Sequence, residues 1–471
     1  MSSLLAEIPL PTVLYAVSIV VALGLMFRNR KEALQPPKPP GPKGDVLYLE
    51  ALGQSLLILS SRKRITELMD KRSTIYSDRP PFPMFHLMNY GHYITIMPYG
   101  NTWKQHRKTF HQQLDAHISS TWHDLMVKNT KSYLKRLLTC PEKWGAHTKH
   151  GLIIEVTYGV ETESPTEEFV KYTNEVSVGF GSAALPGSFL VDNIPLLKYV
   201  PSWFPGAGFK RFAAYHGEVA QRAKHRPYNH VLKKIKEGTL PTCMVSNMLE
   251  EGTHDDLARN VATIAHIAGT DTVRLRLPLE GYALAADMLQ SMGTALAFLN
   301  FIAMHPDVQR KAQRELDDVV GQGRLPGFSD RDNLVYIEAI LRESLRVHQT
   351  FPMGRNSACD YKHIMHDPEI YQDPMTFKPE RFIKDGKIDG SILDPSDIVF
   401  GICPGSNFSR DSLFIMIAYI LTFFDVEPTK DETGKPDIRY EPEDKGVSHP
   451  EPFDVVFKPR SKEHESLLRS L

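Results

Sequence analysis

Apolar residues recur three and four positions apart through five long stretches of this chain: 117–138, 259–272, 291–304, 306–320 and 334–347. That spacing follows the 3.6-residue period of an α-helix and gives each stretch a face to bury. Residues 307–318 also interleave charges, as a helix with one solvated side does. Period-two alternation is scarce, and Tyr93–Met97 and Phe453–Phe457 are the candidate strands. No internal repeat or low-complexity linker follows residue 45. The pattern predicts a mainly α body with small β sheets, in one domain. With 471 residues, 42% of them hydrophobic and 24% charged, the chain can enclose a large core. A formal charge of -1 argues against nucleic acid as a partner. Cys140, Cys243, Cys359 and Cys403 are scattered without a CxxC pair, which excludes a disulfide framework or a zinc site. Cys140, Cys243 and Cys359 read as structural thiols, and a reducing compartment fits.

The N-terminus has another character. Residues 8–27 carry no charge and are long enough for one bilayer crossing. Glu7 precedes the run, while Arg28, Arg30, Lys31, Lys38 and Lys43 follow it. The positive-inside rule then leaves the remainder in the cytosol. A cleaved signal peptide would need a basic leading region and a small-residue cleavage site, and neither is evident. Pro36, Pro37, Pro39, Pro40 and Pro42 stiffen the next segment into an extended spacer. The expected order is a transmembrane anchor over 1–30, a basic proline-rich hinge over 31–44 and a body over 45–471.

Five short patterns follow in the body. Trp103 and Arg107 stand four apart on one predicted helix face. Asp271 and Thr272 put an acid beside an alcohol in an apolar helix. Glu343 and Arg346 make an i,i+3 ion pair, and Arg381 adds a further guanidinium within Pro379-Glu380-Arg381-Phe382. Cys403 lies between Phe400-Gly401 and Pro404-Gly405, just before an apolar helical run over 413–424. A thiol at a loop-to-helix junction is favoured as thiolate by the helix N–H groups and dipole. Each pattern alone is weak; on the order of one ExxR match is expected by chance. Taken singly, the five read as a helix face, a helix C-cap, a surface ion pair, a lone arginine and an inert core thiol. Their joint order behind an anchor is not a coincidence of composition.

Together they resemble the haem-thiolate monooxygenases of the cytochrome P-450 family, closest to its microsomal, fungal-type members. The resemblance implies that fold, heme b (iron protoporphyrin IX) and a role in secondary metabolism. Cys403 would be the axial iron ligand, and Trp103 and Arg107 would bind haem propionates. Asp271 and Thr272 would lie beside dioxygen and relay protons. Glu343, Arg346 and Arg381 would support the ligand loop. A small lipophilic substrate, O2 and an NADPH-dependent flavoprotein reductase are the implied partners, at the endoplasmic reticulum membrane with a single pass. No GxGxxG turn is present, so NADPH is expected on the partner.

The chain departs from the family pattern in three places. Between Phe400-Gly401 and Cys403, about four residues are missing, a glycine and an arginine among them. Near 355–365 roughly twenty residues of short strands are absent. Residues 273–290 are inserted, with Pro278 and Gly281 interrupting the helix after Thr272. A valine codon opens this insert with GT and its glutamine codon can close with AG, as intron borders require. An in-frame retained intron is the expectation. Two rivals stand beside the monooxygenase: a non-catalytic membrane protein of the same scaffold, and a haem-thiolate isomerase or dehydratase.

Overall fold

The computed structural model describes residues 45–471 apart from 52–53, 77, 142–143, 145–150, 161–166, 185–186, 240–241, 271–289, 322, 351–357, 401–402, 443–447 and 449. The anchor, the hinge, residues 273–289 of the insert, Asp271 and Thr272 therefore lie outside the described residues, as do parts of the two shortened loops. Among the described residues no helix is long and apolar enough to cross a membrane. They divide into a first compact unit ending at Ile58 and a second, Leu59–Leu471. The first carries strand β1 (Val46–Ala51) and, up to Ile58, strand β2 (Gln54–Leu59), which is hydrogen-bonded to it.

In the second unit the expected helices form. The main ones are α1 (Asn101–Leu114), α2 (His123–Thr139), α3 (Gly151–Tyr158), α4 (Glu167–Ala184) and α5 (Gly208–Glu237). They continue with α6 (Asp255–Thr270), α7 (Gln290–Met304), α8 (Pro306–Val319), α9 (Val335–Val347) and α10 (Ser406–Phe423). Strands β3 (Phe424–Pro428) and β4 (Val455–Pro459) pair antiparallel, with Val426 opposite Phe457. The predicted strand at 453–457 is thus present but begins two residues later.

The other predicted strand is corrected. Tyr93–Met97 is a run of turns, in which the Ile96 and Met97 amides both donate to the Tyr93 carbonyl (2.8 and 2.9 Å). All five side chains are buried, so no solvent face exists to sustain an alternating pattern. The stretch from 117 also begins earlier than its helix. Ala116–Ser119 and a single 3-10 turn, Ser120–Trp122, precede α2.

Helix α10 is apolar nearly all round, and Leu413, Phe414, Ile417, Ile420, Leu421 and Phe423 are buried, as a central helix requires. Against it packs α9, whose N-terminal amides at Tyr336 and Ile337 donate to the Glu315 carboxylate of α8 (2.7 and 3.0 Å). From the same helix Gln309 and Gln313 bond the β3 edge at Val426 and Asp425. In α6, a Cβ on Gly269 would lie 2.5 Å from Ile153 Cγ1. The bare backbone there serves close packing against α3.

Candidate active site

Helix α9 and the segment 372–381 build a buried polar cluster. Glu343 and Arg346, three apart on α9, are fully buried, and Arg381 is 6% exposed. Arg346 donates from Nε and Nη2 to the two Glu343 oxygens (2.8 and 2.9 Å). Its remaining hydrogens go to the carbonyls of Met365, Pro374 and Thr376. All five guanidinium donors are used. Arg381 Nε donates to both Glu343 oxygens (3.2 and 3.1 Å), and the Lys378 amide adds a fifth contact at 2.8 Å. The outer nitrogens of Arg381 bind the Gln372, Asp373 and Thr376 carbonyls. Asp373 has φ +49°, a conformation that costs an L-residue energy and that the arginine helps to hold. The three predicted support residues are brought together.

Cys403 follows this segment on a half-buried turn, two residues before Gly405, the N-cap of α10. Its amide donates to the Phe400 carbonyl at 2.8 Å. The sulfur packs at the margin of the core. Gly401 and Ile402, where the loop is shortened, lie outside the described residues.

On α1, Trp103 is buried and Arg107 half-buried, one turn apart. The Arg107 guanidinium carbon stands 5.7 Å from the Trp103 ring centroid, a cation–π distance. The indole N–H donates to the Ile94 carbonyl at 3.1 Å. Its donor is engaged by the backbone, and Trp103 offers Arg107 its ring face. Lys104, Lys108 and His111 join the pair around a cleft of about 350 Å³. Nearby, burial with help from the Lys224 charge pushes the His92 imidazole down to about 3, so it is neutral at physiological pH.

A half-dozen charged residues that the sequence pattern did not single out surround the same helices. Arg331, Glu338, Arg342, Asp394, Arg410 and Asp411 are linked side chain to side chain. Only the i,i+4 pair Glu338–Arg342 had a local signal.

Comparison with known proteins assigns this architecture. The family model described as Cytochrome P450 matches residues 41–277 and 290–457. Cytochrome P450 monooxygenase COX1 of Coprinopsis cinerea is 34% identical, over 96% of this chain and 98% of its own length. That alignment runs over 524 positions, more than the 471 residues here, so the relative carries segments this chain lacks. Tryptamine 4-monooxygenase of Psilocybe cyanescens is 28% identical over 95% of this chain and 98% of its own. Among solved structures, a zebra fish cytochrome P450 with Abiraterone superposes with TM-score 0.63 at 19% identity, covering 89% of this chain and 97% of that one. The family matches break across 278–289, inside the predicted insert.

The donor set suits the cofactor of that family. A half-buried thiol at a helix N-terminus is a soft ligand for iron. A half-buried guanidinium on a tryptophan face is a planar partner for a carboxylate.

Proposed function

This chain belongs to the cytochrome P450 family and is a haem-dependent monooxygenase with O2, an organic substrate and a reductase as partners, and from that premise we propose which of its residues do the work. Cys403 is the axial thiolate, stabilised by the N-terminal amides of α10. A haem held through cysteine supplies oxygen activation, sulfur donation favouring O–O cleavage. Arg107, braced on the Trp103 ring, binds a propionate, and Trp103 closes that edge of the site. Thr272 passes protons inward from its hydroxyl and is recharged by the Asp271 carboxyl, a role that rests on the motif. The net reaction inserts one oxygen atom into a C–H bond and reduces the other to water, consuming two electrons and two protons.

The closed Glu343–Arg346–Arg381 cluster is the observation that carries this reading. Such a cluster costs desolvation energy that stability alone does not justify, and here it fixes the backbone ahead of the cysteine turn. The names of the relatives support oxygen insertion over the isomerase, dehydratase and inert-scaffold readings.

The remaining assignments are proposals of the same kind. The donor of electrons is an NADPH-dependent flavoprotein reductase whose acidic face meets the exposed Lys104 and Lys108 of α1. The substrate is small and lipophilic. Residues 8–27 anchor the chain in the endoplasmic reticulum membrane, ahead of the 31–44 hinge and the 45–471 body. Support comes from a second apolar surface: Leu190, Ile194, Leu196, Tyr199, Trp203 and Phe204 are all exposed, Trp203 at 78%. Exposed Lys198 and Arg211 flank them, a composition suited to a headgroup interface. Residues 273–290 are a retained intron, and sequencing of the mature transcript tests that directly.

Reducing the purified haem-loaded chain under carbon monoxide tests the central assignment. The expected result is a red-shifted Soret band that Cys403→Ser abolishes. A serine variant with the wild-type band overturns it.

A further inference from the structure

The charged residues around Glu338 join α9 to the chain on both sides of Cys403, at Asp394 and at Arg410. We propose that Arg331, Glu338, Arg342, Asp394, Arg410 and Asp411 form a clamp that positions Cys403 by pinning both ends of its loop to α9. Asp394 precedes the thiol by nine residues, and Arg410 and Asp411 follow it by seven and eight. Glu338 accepts from Arg331 (3.1 and 3.0 Å), Arg342 (3.3 Å) and Arg410 (3.0 Å). Arg342 Nη1 reaches Asp394 at 2.9 Å, and Arg410 stands 3.8 Å from the same oxygen. Arg331 Nη1 donates to Asp411 at 2.7 Å, and its guanidinium lies 4.7 Å from the Phe414 ring centroid. Ser119 donates to the second Asp411 oxygen at 2.6 Å, with His123 Nε2 3.2 Å from it.

Three guanidinium groups thus neutralise three carboxylates in a setting only 10% to 26% exposed. Charges in that range attract more strongly than at an open surface, and each arginine answers to two acids. Between the pinned ends lie the helical turn Ser396–Val399 and the Cys403 amide, which donates to the Phe400 carbonyl. A loop this short has little chain with which to fix the sulfur by itself. Endpoints held on α9, the helix that also carries Glu343, supply the missing constraint. These six are positioning residues, and the inference rests on Cys403 being the iron ligand.

The test compares Arg410→Ala with Arg410→Lys and Arg460→Ala in the full haem-loaded chain, reading the ferrous–carbon monoxide spectrum and thermal melting. Arg460 pairs with Asp317 (3.0 and 2.6 Å) beyond the other end of α10, so its loss matches the charge removed but not its place. Arg410→Ala is expected to lower the ratio of thiolate-ligated to non-thiolate absorbance by roughly twofold to fivefold. Arg410→Lys should keep most of that ratio, and Arg460→Ala should melt earlier with the ratio unchanged. Where Arg410→Ala does not accumulate, Asp394→Asn removes the charge at the opposite end and is judged by the same ratio. A wild-type ratio in the variant read, or an equal fall in Arg460→Ala, overturns the clamp. Cys403→Ser separates the two ideas: if it keeps the thiolate signature, the ligand assignment fails and not the clamp alone.

Discussion

Helix α9 carries two charge clusters built from the same residue types, and they solve different problems. The one at Glu343 is dry, with both members on the helix fully buried and every Arg346 hydrogen assigned. The one at Glu338 is shared among six residues, each partly exposed, with no single pair carrying the connection. A dry cluster fixes geometry sharply but collapses when a partner is lost, because a buried charge is left uncompensated. A distributed, half-wet cluster yields gradually, since water and the remaining partners take up the slack. Rigidity under the backbone before the cysteine and tolerance at the ends of its loop follow from this division.

The harshest trial of that contrast is Glu343→Gln. It strands the Arg346 and Arg381 guanidinium groups against one amide and should cost roughly 3–5 kcal/mol. The expected outcome in a chemical denaturation series is a chain that no longer holds a folded haem site. A variant with wild-type midpoint would remove the distinction between the clusters.

Paired lysine substitutions sharpen it further. Arg346→Lys keeps the charge but cannot reach Glu343 and three carbonyls from one nitrogen, so a loss of about 2–3 kcal/mol is expected. Arg342→Lys, about one helix turn from Arg346 but in the more exposed cluster, should cost under about 1 kcal/mol. Equal losses in parallel melts would mean that burial does not separate the two faces of α9.

What the sequence revealed follows the same division. Glu343 and Arg346 are neighbours along one helix, so their pairing was legible as a local i,i+3 pattern, and Arg381 lay in a recognisable tetrapeptide. The long helices were legible because burial of one face imprints a period on the residues. Tyr93–Met97 was misread because aromatic and β-branched residues alternate there for packing, while the backbone folds into turns with all five side chains inside. The Glu338 cluster left almost no trace. Arg410 and Asp411 are 72 and 80 residues from their partners Glu338 and Arg331, and a charge on a helix reads as solvated until the fold brings its partner. Likewise, nothing local marks Glu315 as the cap of α9.

The smallest predicted effect lies just outside both clusters and calibrates them. Asp330 accepts from Arg324 (2.6 and 2.7 Å) and from the Gly327 amide (2.8 Å) in the turn before α9. The Arg324 hydrogen bonds hold its carboxyl below the ordinary range, against the opposing effect of burial. A carboxyl depressed in the folded state adds stability above its unfolded pKa of about 3.9, and that contribution drains away as pH falls through the folded value. Asp330→Asn should therefore melt slightly earlier at neutral pH, by less than about 1 kcal/mol in stability, because Arg324 is half exposed. Its difference from wild type should shrink progressively below pH of about 4. A gap that persists or widens in acid would mean that the aspartate acts through shape and not charge. The Glu338 cluster, built from the same kinds of pairs though less exposed, would then have to be judged on shape as well.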